Sequence, residues 1–164
     1  MLKIAILLLF VYTSLFSYET EEYPFIGLTV STQSIDIENI EKQKETSFGL
    51  RYGKQTTEWR TMFSLSLANN SYRSLALDID KILSDEIMGM PEFRPYVGIS
   101  VGYLKYDNDA LSDDSGFYYG ANAGLIIYAT DNMDADLSYH YYKVNDIDEL
   151  DSLQGGTFSL HYFY

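Results

Sequence analysis

Six charged side chains occur at alternate positions inside segments that otherwise have the pattern of β-strands. They are Arg51, Arg60, Asp78, Asp80, Asp134 and Asp136. Because alternate residues of a strand point to the same face of a sheet, these side chains share one surface with many glycine, serine, alanine and asparagine residues. Opposite charges in a confined interior must pair, since an unpaired buried charge is costly. The pattern predicts an internal charge cluster that fills space and fixes strand register.

The two histidines are the other residues that could take part in chemistry. His140 and His161 lie on the same predicted face as the charged residues, and neither has an evident nucleophile to activate. We therefore interpret both as interior packing residues. No catalytic residue, cofactor site or metal site is expected in this interior.

Composition excludes several classes of function. The formal net charge is −13 at pH 7, and a chain this acidic would be repelled by the phosphates of nucleic acid. There is no cysteine, so disulfides, thiolate metal sites and a lipoprotein anchor are all excluded. The length suits one domain rather than two.

Acidic residues crowd two connecting segments, at 107–114 and 146–151. Asp107 and Asp109 begin like an EF-hand calcium loop, but Leu111 and Ser112 stand where the next ligand and the glycine belong, so the match fails. A solvated, repulsive rim is expected. Loose binding of Ca²⁺ or Mg²⁺ is the alternative.

Eight segments of alternating hydrophobicity would position these residues. They span 23–32, 46–54, 58–68, 74–80, 94–106, 117–128, 133–142 and 157–164. Alternating segments of about 10 residues separated by turn residues are typical of the strands of transmembrane barrels, and an even number suits a bacterial barrel. The predicted fold class is all-β, an eight-stranded antiparallel up-and-down transmembrane β-barrel.

Alternation alone also allows a soluble barrel or sandwich whose apolar face is turned inward. The small and charged residues of the second face favour a narrow polar lumen, which leaves the apolar face for lipid. Aromatic residues near the strand ends of the apolar face are typical of interfacial girdles. They are Tyr52, Trp59, Tyr162 and Tyr164 at one rim, and Phe48, Tyr103, Phe117, Tyr119, Tyr141 and Phe158 nearer the other.

The two ends of the chain have signals of their own. Lys3, the apolar run 4–11 and the small residue Ser17 predict a secretory signal peptide over residues 1–17, with the barrel domain over 18–164. The last strand carries four apolar side chains at a spacing of two and stops on an aromatic. These side chains are Phe158, Leu160, Tyr162 and Tyr164.

Two segments carry a family resemblance. The run from Arg94 to Tyr103, with its Pro-Tyr-x-Gly-x-x-x-Gly-Tyr pattern, resembles a strand of the small outer-membrane β-barrel superfamily that includes OmpA-type and OmpX/Ail-type barrels. The segment from Gly124 through the turn at 130–132 to Tyr141 resembles the penultimate hairpin of that superfamily.

The resemblance implies a location in the outer membrane of a Gram-negative cell, in contact with outer-membrane lipid and lipopolysaccharide. It also implies a monomer whose terminal strand is the signal read by the barrel-assembly machinery. The implied role is membrane integrity, adhesion or resistance to external attack. The extracellular partner is not identified by the sequence.

Two other functions stay open. A polar interior allows a small porin-like solute pore, although eight strands leave room only for side chains. An outer-membrane lipid A deacylase has a similar size, and resemblance to it would imply a His-x-Ser pair near the outer rim. Tyr142 stands two residues after His140 instead of that serine.

The connections are assigned from the periplasmic position of the C-terminus. Those near 33–45, 69–71, 106–116 and 143–155 are expected at the outer end, and those near 54–58, 81–92 and 130–132 at the periplasmic end. A short helical turn is predicted over 82–88.

Overall fold

The computed structural model describes residues 21–37, 43–68, 72–84, 89–106, 115–147 and 150–164. Eight strands account for most of these residues. They are β1 Tyr23–Ile37, β2 Gln43–Gln55, β3 Trp59–Ala68, β4 Tyr72–Ile82, β5 Phe93–Tyr106, β6 Ser115–Thr130, β7 Met133–Asn145 and β8 Leu150–Phe163. Within the described ranges, no helix is long and apolar enough to cross a membrane.

The strands close into a single barrel in chain order, and each strand is antiparallel to both of its neighbours. Closure is made by β1 and β8, whose pairing begins at Phe25 opposite Phe163 and ends at Ile37 opposite Leu150. A closed ladder leaves no sheet edge, which is the condition for strands to stand in hydrocarbon without unsatisfied backbone groups. The predicted eight-stranded all-β barrel is confirmed.

Large apolar residues lie on the outside of the barrel, and polar residues line its inside. Large apolar side chains cover the outer wall, where Leu28 is 66% exposed, Ile99 64% and Leu137 57%. The inner face is lined by buried serine, threonine, aspartate, arginine and histidine. The apolar face therefore points away from the lumen, as predicted, and the ordinary sandwich with an apolar centre is excluded.

The two ends of the barrel differ in their connections. Both chain termini of the described barrel and the connections at 56–58, 83–92 and 131–132 lie at one end, which we call the periplasmic end. The other end, called the outer end, carries the connections at 38–42, 69–71, 107–114 and 146–149. Two of the three periplasmic connections are short turns, which is typical of outer-membrane barrels, whereas the third, 83–92, is a longer connection.

Two of the predicted outer connections were too long. β1 continues to Ile37 and β8 already begins at Leu150, whereas connections were predicted over 33–45 and 143–155. The start of β8 was missed because Ser152 and Leu153 are both buried, so the alternation is interrupted where the pairing with β1 shifts register. Two consecutive glycines, Gly155 and Gly156, further weaken the strand pattern.

Several other predictions fall wholly or partly outside the described residues. Ile82 belongs to β4 rather than to a helical turn, and the rest of the predicted turn includes the undescribed residues 85–88. The signal peptide over 1–17 and the acidic segment 107–114 also lie outside the described ranges, as do residues 148 and 149 of the second acidic segment.

The outer wall leads to a test by charge insertion. Leu65 lies near the middle of β3 on the outer wall, and Leu65→Arg should cost roughly 2–4 kcal/mol of unfolding free energy, because an arginine at the bilayer midplane is poorly solvated. Thr46→Arg, at an exposed outward position near the outer end of β2, is the matched control and should cost about 0–1 kcal/mol. Denaturant unfolding in phospholipid vesicles measures both. Equal costs at the two positions would contradict a lipid-facing wall.

Candidate functional site

A buried arginine near the periplasmic end of β3 points into the lumen. The Arg60 side chain has no exposed surface and reaches carboxylates on two different strands. Its Nε donates to Asp80 Oδ2 at 2.9 Å, and its Nη2 donates to Asp136 Oδ2 at 2.6 Å. Asp80 is its direct neighbour on β4, whereas Asp136 reaches it from β7. Arg60 therefore ties together strands that are not adjacent in the sheet.

Tyr96 completes the surroundings of this arginine. The guanidinium carbon lies 4.5 Å from the centre of the Tyr96 ring, a cation–π distance. The Tyr96 hydroxyl donates to Asp136 Oδ1 at 3.1 Å. Asp136 thus accepts from both residues, and Arg51 Nη1 lies 3.8 Å from the same Oδ1. The cluster is a charge-assisted network rather than a single pair.

The other two predicted aspartates take partners of a different kind. Asp78 accepts hydrogen bonds from the hydroxyls of Ser64 and Ser100, which stand on the strands to either side of it. Asp134 Oδ1 lies 2.7 Å from Nδ1 of His161, its direct neighbour on β8. His161 is 1% exposed and also packs against Phe25, with ring centres 4.8 Å apart.

His140 belongs to a hydroxyl chain in the same lumen. Its Nδ1 lies 3.4 Å from Thr157 Oγ1, which in turn lies 2.8 Å from Ser31 Oγ. The imidazole stacks on the Tyr142 ring at 4.7 Å. A hydroxyl beside a histidine is part of the arrangement that activates a nucleophile. However, His140 is only 6% exposed, and this row of hydrogen bonds ends on side chains of the lumen rather than at a substrate cleft.

A cavity of about 40 Å³ lies among Arg51, Asp78, His140 and the surrounding serine and threonine hydroxyls. This volume holds a few water molecules and no larger solute. Among the described residues, no group of three or more histidine, aspartate and glutamate side chains is arranged to hold a metal ion.

Apolar clusters lie at both ends of the polar lumen. Towards the outer end, inward side chains of β4 to β8 and of the connection between β7 and β8 pack together: Ala76, Leu104, Tyr118, Val144, Ile147, Leu150 and Leu153. Towards the periplasmic end, Ile82, Tyr96 and Ile126 form a smaller cluster. Neither cluster was predicted from the sequence, although Leu104 and Val144 stand out as large apolar residues on an otherwise small and polar face.

Hydrogen bonds and ion pairs organise the periplasmic rim. Arg94 donates to the backbone oxygens of Leu83 and Thr57 at 3.0 and 3.1 Å. Glu58 accepts from Lys81, and this hydrogen bond, with the positive charge of the lysine, lowers the pKa of the exposed Glu58 carboxyl. Basic side chains at this rim are therefore held by partners from the protein itself.

Glycines give the interior side chains room. A Cβ at residue 98 would overlap Asp80 Oδ1 and Asn122 Oδ1, and a Cβ at residue 27 would overlap the His161 ring. The long charged side chains therefore fit inside the barrel because glycines on neighbouring strands leave space for them.

The six predicted charged residues all lie in the lumen, but they do not all form ion pairs with one another. Arg60 contacts Asp80 and Asp136, while Asp78 and Asp134 bond to serine and histidine. In the terminal strand, Phe158, Leu160, Tyr162 and Tyr164 are all exposed on the outer wall. Their recognition during assembly stays a prediction.

Solved structures of known proteins share this architecture. Neisserial surface protein A has a TM-score of 0.65 and 14% identity, with 86% of this chain and 97% of that chain covered. The attachment invasion locus protein Ail of Yersinia pestis has a TM-score of 0.60 and 15% identity, covering 88% and 99%. Outer membrane protein H (OprH) of P. aeruginosa has a TM-score of 0.62 and 19% identity, covering 87% and 99%.

No protein-family model and no curated protein sequence matches the chain. The structural likeness therefore rests on backbone geometry rather than on shared sequence. The chain shares the eight-stranded barrel fold of these outer-membrane proteins, which is the fold that the resemblance in its sequence implied.

Removing Arg60 tests the central network. Arg60→Met should cost about 3–5 kcal/mol of unfolding free energy, because Asp80 and Asp136 would be left buried without their cation. The triple variant Arg60→Met, Asp80→Asn and Asp136→Asn removes the charges together and should recover most of that loss. Denaturant unfolding of the folded barrel measures both variants. A loss below 1 kcal/mol in Arg60→Met would contradict the central role of this residue.

A matched pair of glycine substitutions tests the packing. Gly98→Ala should cost about 1–3 kcal/mol, because the new methyl group displaces Asp80 and Asn122 from the network. At Gly156 the nearest atom to a new Cβ is Ser138 O, at 3.8 Å, so Gly156→Ala should leave stability nearly unchanged. Thermal or denaturant unfolding gives the two values. Equal effects would mean that room above Gly98 is not needed.

Proposed function

We propose that this chain is an integral protein of the cell outer membrane with a structural or surface-interaction role and no enzymatic activity. One observation carries the proposal: the apolar side chains of a closed barrel face outward while its charged side chains are buried. In water, this wall would be an exposed apolar patch far larger than soluble monomers present. In a bilayer, the same side chains lie in hydrocarbon and the closed ladder meets the demand for paired backbone groups.

Aromatic residues of the outer wall support this location. Tyr52, Trp59, Tyr162 and Tyr164 are each at least half exposed near the periplasmic end. Phe48, Phe117 and Tyr119 are equally exposed nearer the outer end. Tyrosine and tryptophan favour the headgroup level, where the ring is apolar and the polar group reaches water.

The filled lumen argues against a solute pore. Arg60 crosses the interior to Asp136, the cavity beside Arg51 and Asp78 holds only a few waters, and apolar clusters lie towards both ends. Opening a path would require breaking a buried charge network, which costs several kcal/mol.

The interior also argues against a lipid A-modifying enzyme. Such an enzyme must present its nucleophile and base to a lipid at the outer wall. His140 and His161 are both directed into the lumen, with exposures of 6% and 1%, where a lipid ester cannot reach them.

Further parts of the proposal follow from the sequence. A signal peptide over residues 1–17 would direct export, and the strand ending in Tyr162 and Tyr164 would be read by the barrel-assembly machinery. The inserted protein would be a monomer in contact with outer-membrane lipid and lipopolysaccharide. The acidic outer connections would meet the cell's surroundings.

Epitope insertion with fractionation tests location and orientation. A tag placed within 107–114 should be detected on intact cells, whereas a tag in the 131–132 turn should be detected only after the outer membrane is opened. Both proteins should sediment with the outer membrane and change gel mobility on boiling, as folded membrane barrels do. Recovery in the soluble periplasmic fraction, or equal detection of both tags on intact cells, would overturn the proposal.

Conductance and lipid analysis separate the rival functions. The purified barrel in a planar bilayer should show no stepwise current, and its overexpression should leave the mass of lipid A unchanged. A reproducible open channel would establish the pore instead. A lipid A species altered in mass would establish the enzyme.

A further inference from the structure

Negative charge exceeds positive charge in the described part of the lumen. The six predicted charged residues are four aspartates and two arginines. Arg60 pairs with Asp80 and Asp136, and Arg51 lies 3.8 Å from Asp136, one of the same two carboxylates. Because a buried carboxylate without a cation is costly, this interior needs further positive charge.

The other titratable groups of the lumen do not restore the balance. His161 contacts Asp134, and even as an imidazolium it would offset only one of the two excess negative charges. His140 lies beside the hydroxyl of Thr157 rather than beside a carboxylate. Arg94 donates to backbone oxygens at the periplasmic rim. At least one excess negative charge therefore stays in the interior.

Asp78 is the carboxylate without a cation. It is 4% exposed, and its two oxygens accept hydrogen bonds from the hydroxyls of Ser64 and Ser100. Within the described ranges it forms no ion pair. Asp80 follows two residues later on the same face of β4. The missing positive charge is therefore needed close to these two aspartates.

A row of three residues beside them leaves space for an ion. Gly98 on β5 is opposite Asp80 on β4 and opposite Asn122 on β6. A Cβ at residue 98 would overlap Asp80 Oδ1 and Asn122 Oδ1 at once, and the backbone oxygen of Ile79 lies 2.9 Å from the same position. Because both side-chain oxygens reach the position of a single atom, one ion beside Gly98 can contact both.

The two side-chain oxygens of this row are acceptors that lack a donor. Neither Asp80 Oδ1 nor Asn122 Oδ1 has a hydrogen-bond partner among the described residues, whereas the other oxygen of Asp80 accepts from Arg60. A buried acceptor without a donor is unfavourable, and two such oxygens close together also repel each other. A positive charge between them would remove both costs.

Neighbouring hydrogen bonds fix the orientation of the Asn122 amide. Its Nδ2 donates to Ser100 Oγ at 3.3 Å, and the Ser100 hydroxyl donates in turn to Asp78. A reversed amide would place its oxygen against Ser100 Oγ, whose single hydrogen is already donated to Asp78. The hydrogen-bond row therefore directs Asn122 Oδ1 towards Asp80.

The ligand set suits a monovalent cation. Carboxylate and carbonyl oxygens are the usual ligands of hard cations such as Mg²⁺ and Ca²⁺. Asp80 is the one carboxylate of the set, so a single positive charge balances it. A divalent ion would need more acidic ligands, and no group of three or more acidic or histidine side chains is arranged for a metal ion in the part of the chain that the structure describes.

We propose that a sodium ion binds beside Gly98, between Asp80 Oδ1 and Asn122 Oδ1, with the backbone oxygen of Ile79 as a third ligand and water as the remaining ligands. The ion supplies the positive charge that the lumen lacks and joins β4 to β6 across β5. The site is formed by the lumen alone, so it does not depend on the membrane location proposed above.

Equilibrium unfolding at constant ionic strength tests the site. The folded barrel in phospholipid vesicles is titrated with urea at fixed pH, in buffers where sodium chloride replaces choline chloride. An ion that binds only the folded state stabilises it by mass action. The folding equilibrium constant of the wild type should therefore rise about tenfold for a tenfold increase in sodium concentration once the site is nearly saturated.

Three variants locate the effect. Asn122→Leu removes one ligand at similar side-chain size, and Gly98→Ala fills the space for the ion, so both should lose the dependence on sodium. Gly156→Ala is the matched control and should keep the wild-type dependence, because the atom nearest to its new Cβ is Ser138 O at 3.8 Å. Should Gly98→Ala fail to fold, Asn122→Leu still gives the test.

Several results would overturn the site. A wild type whose folding equilibrium constant is independent of sodium is one, and the same dependence in the wild type and in Asn122→Leu is another. A wild type that ignores sodium but loses stability as the pH rises would show that a proton shared by the two oxygens takes the place of the ion, and this also overturns the sodium site.

Discussion

The demand that every backbone N–H and C=O be paired within the protein governs this structure. In hydrocarbon there is no water to satisfy an open strand edge, so the sheet must close. Closure by β1 and β8 then divides the side chains into two populations, one facing lipid and one facing the lumen. Buried charges and exposed leucines would be unfavourable in a soluble domain, but here both follow from that division.

Closure at eight strands also sets the chemistry of the interior. The lumen is only wide enough for side chains, so residues from opposite walls meet. Arg60 spans this width to reach Asp136, and glycines such as Gly98 leave room for the carboxylates beside them. Polar groups brought this close form a hydrogen-bonded network, in which Arg60 donates to Asp80 and Asp136.

The sequence by itself determined the number of strands, the face that each side chain takes and the presence of charge in the interior, because a period of two fixes the face wherever a strand is regular. It also allowed the contact between Arg60 and Asp80, which stand on consecutive strands. The start of β8 escaped it, since Ser152 and Leu153 interrupt the period. Only the tertiary structure decided that Arg60 reaches Asp136 and that Leu104 and Val144 join one cluster. These contacts depend on the shear of the barrel, which is the offset in strand register around the closed sheet. All eight strands together set the shear, so no single segment encodes it.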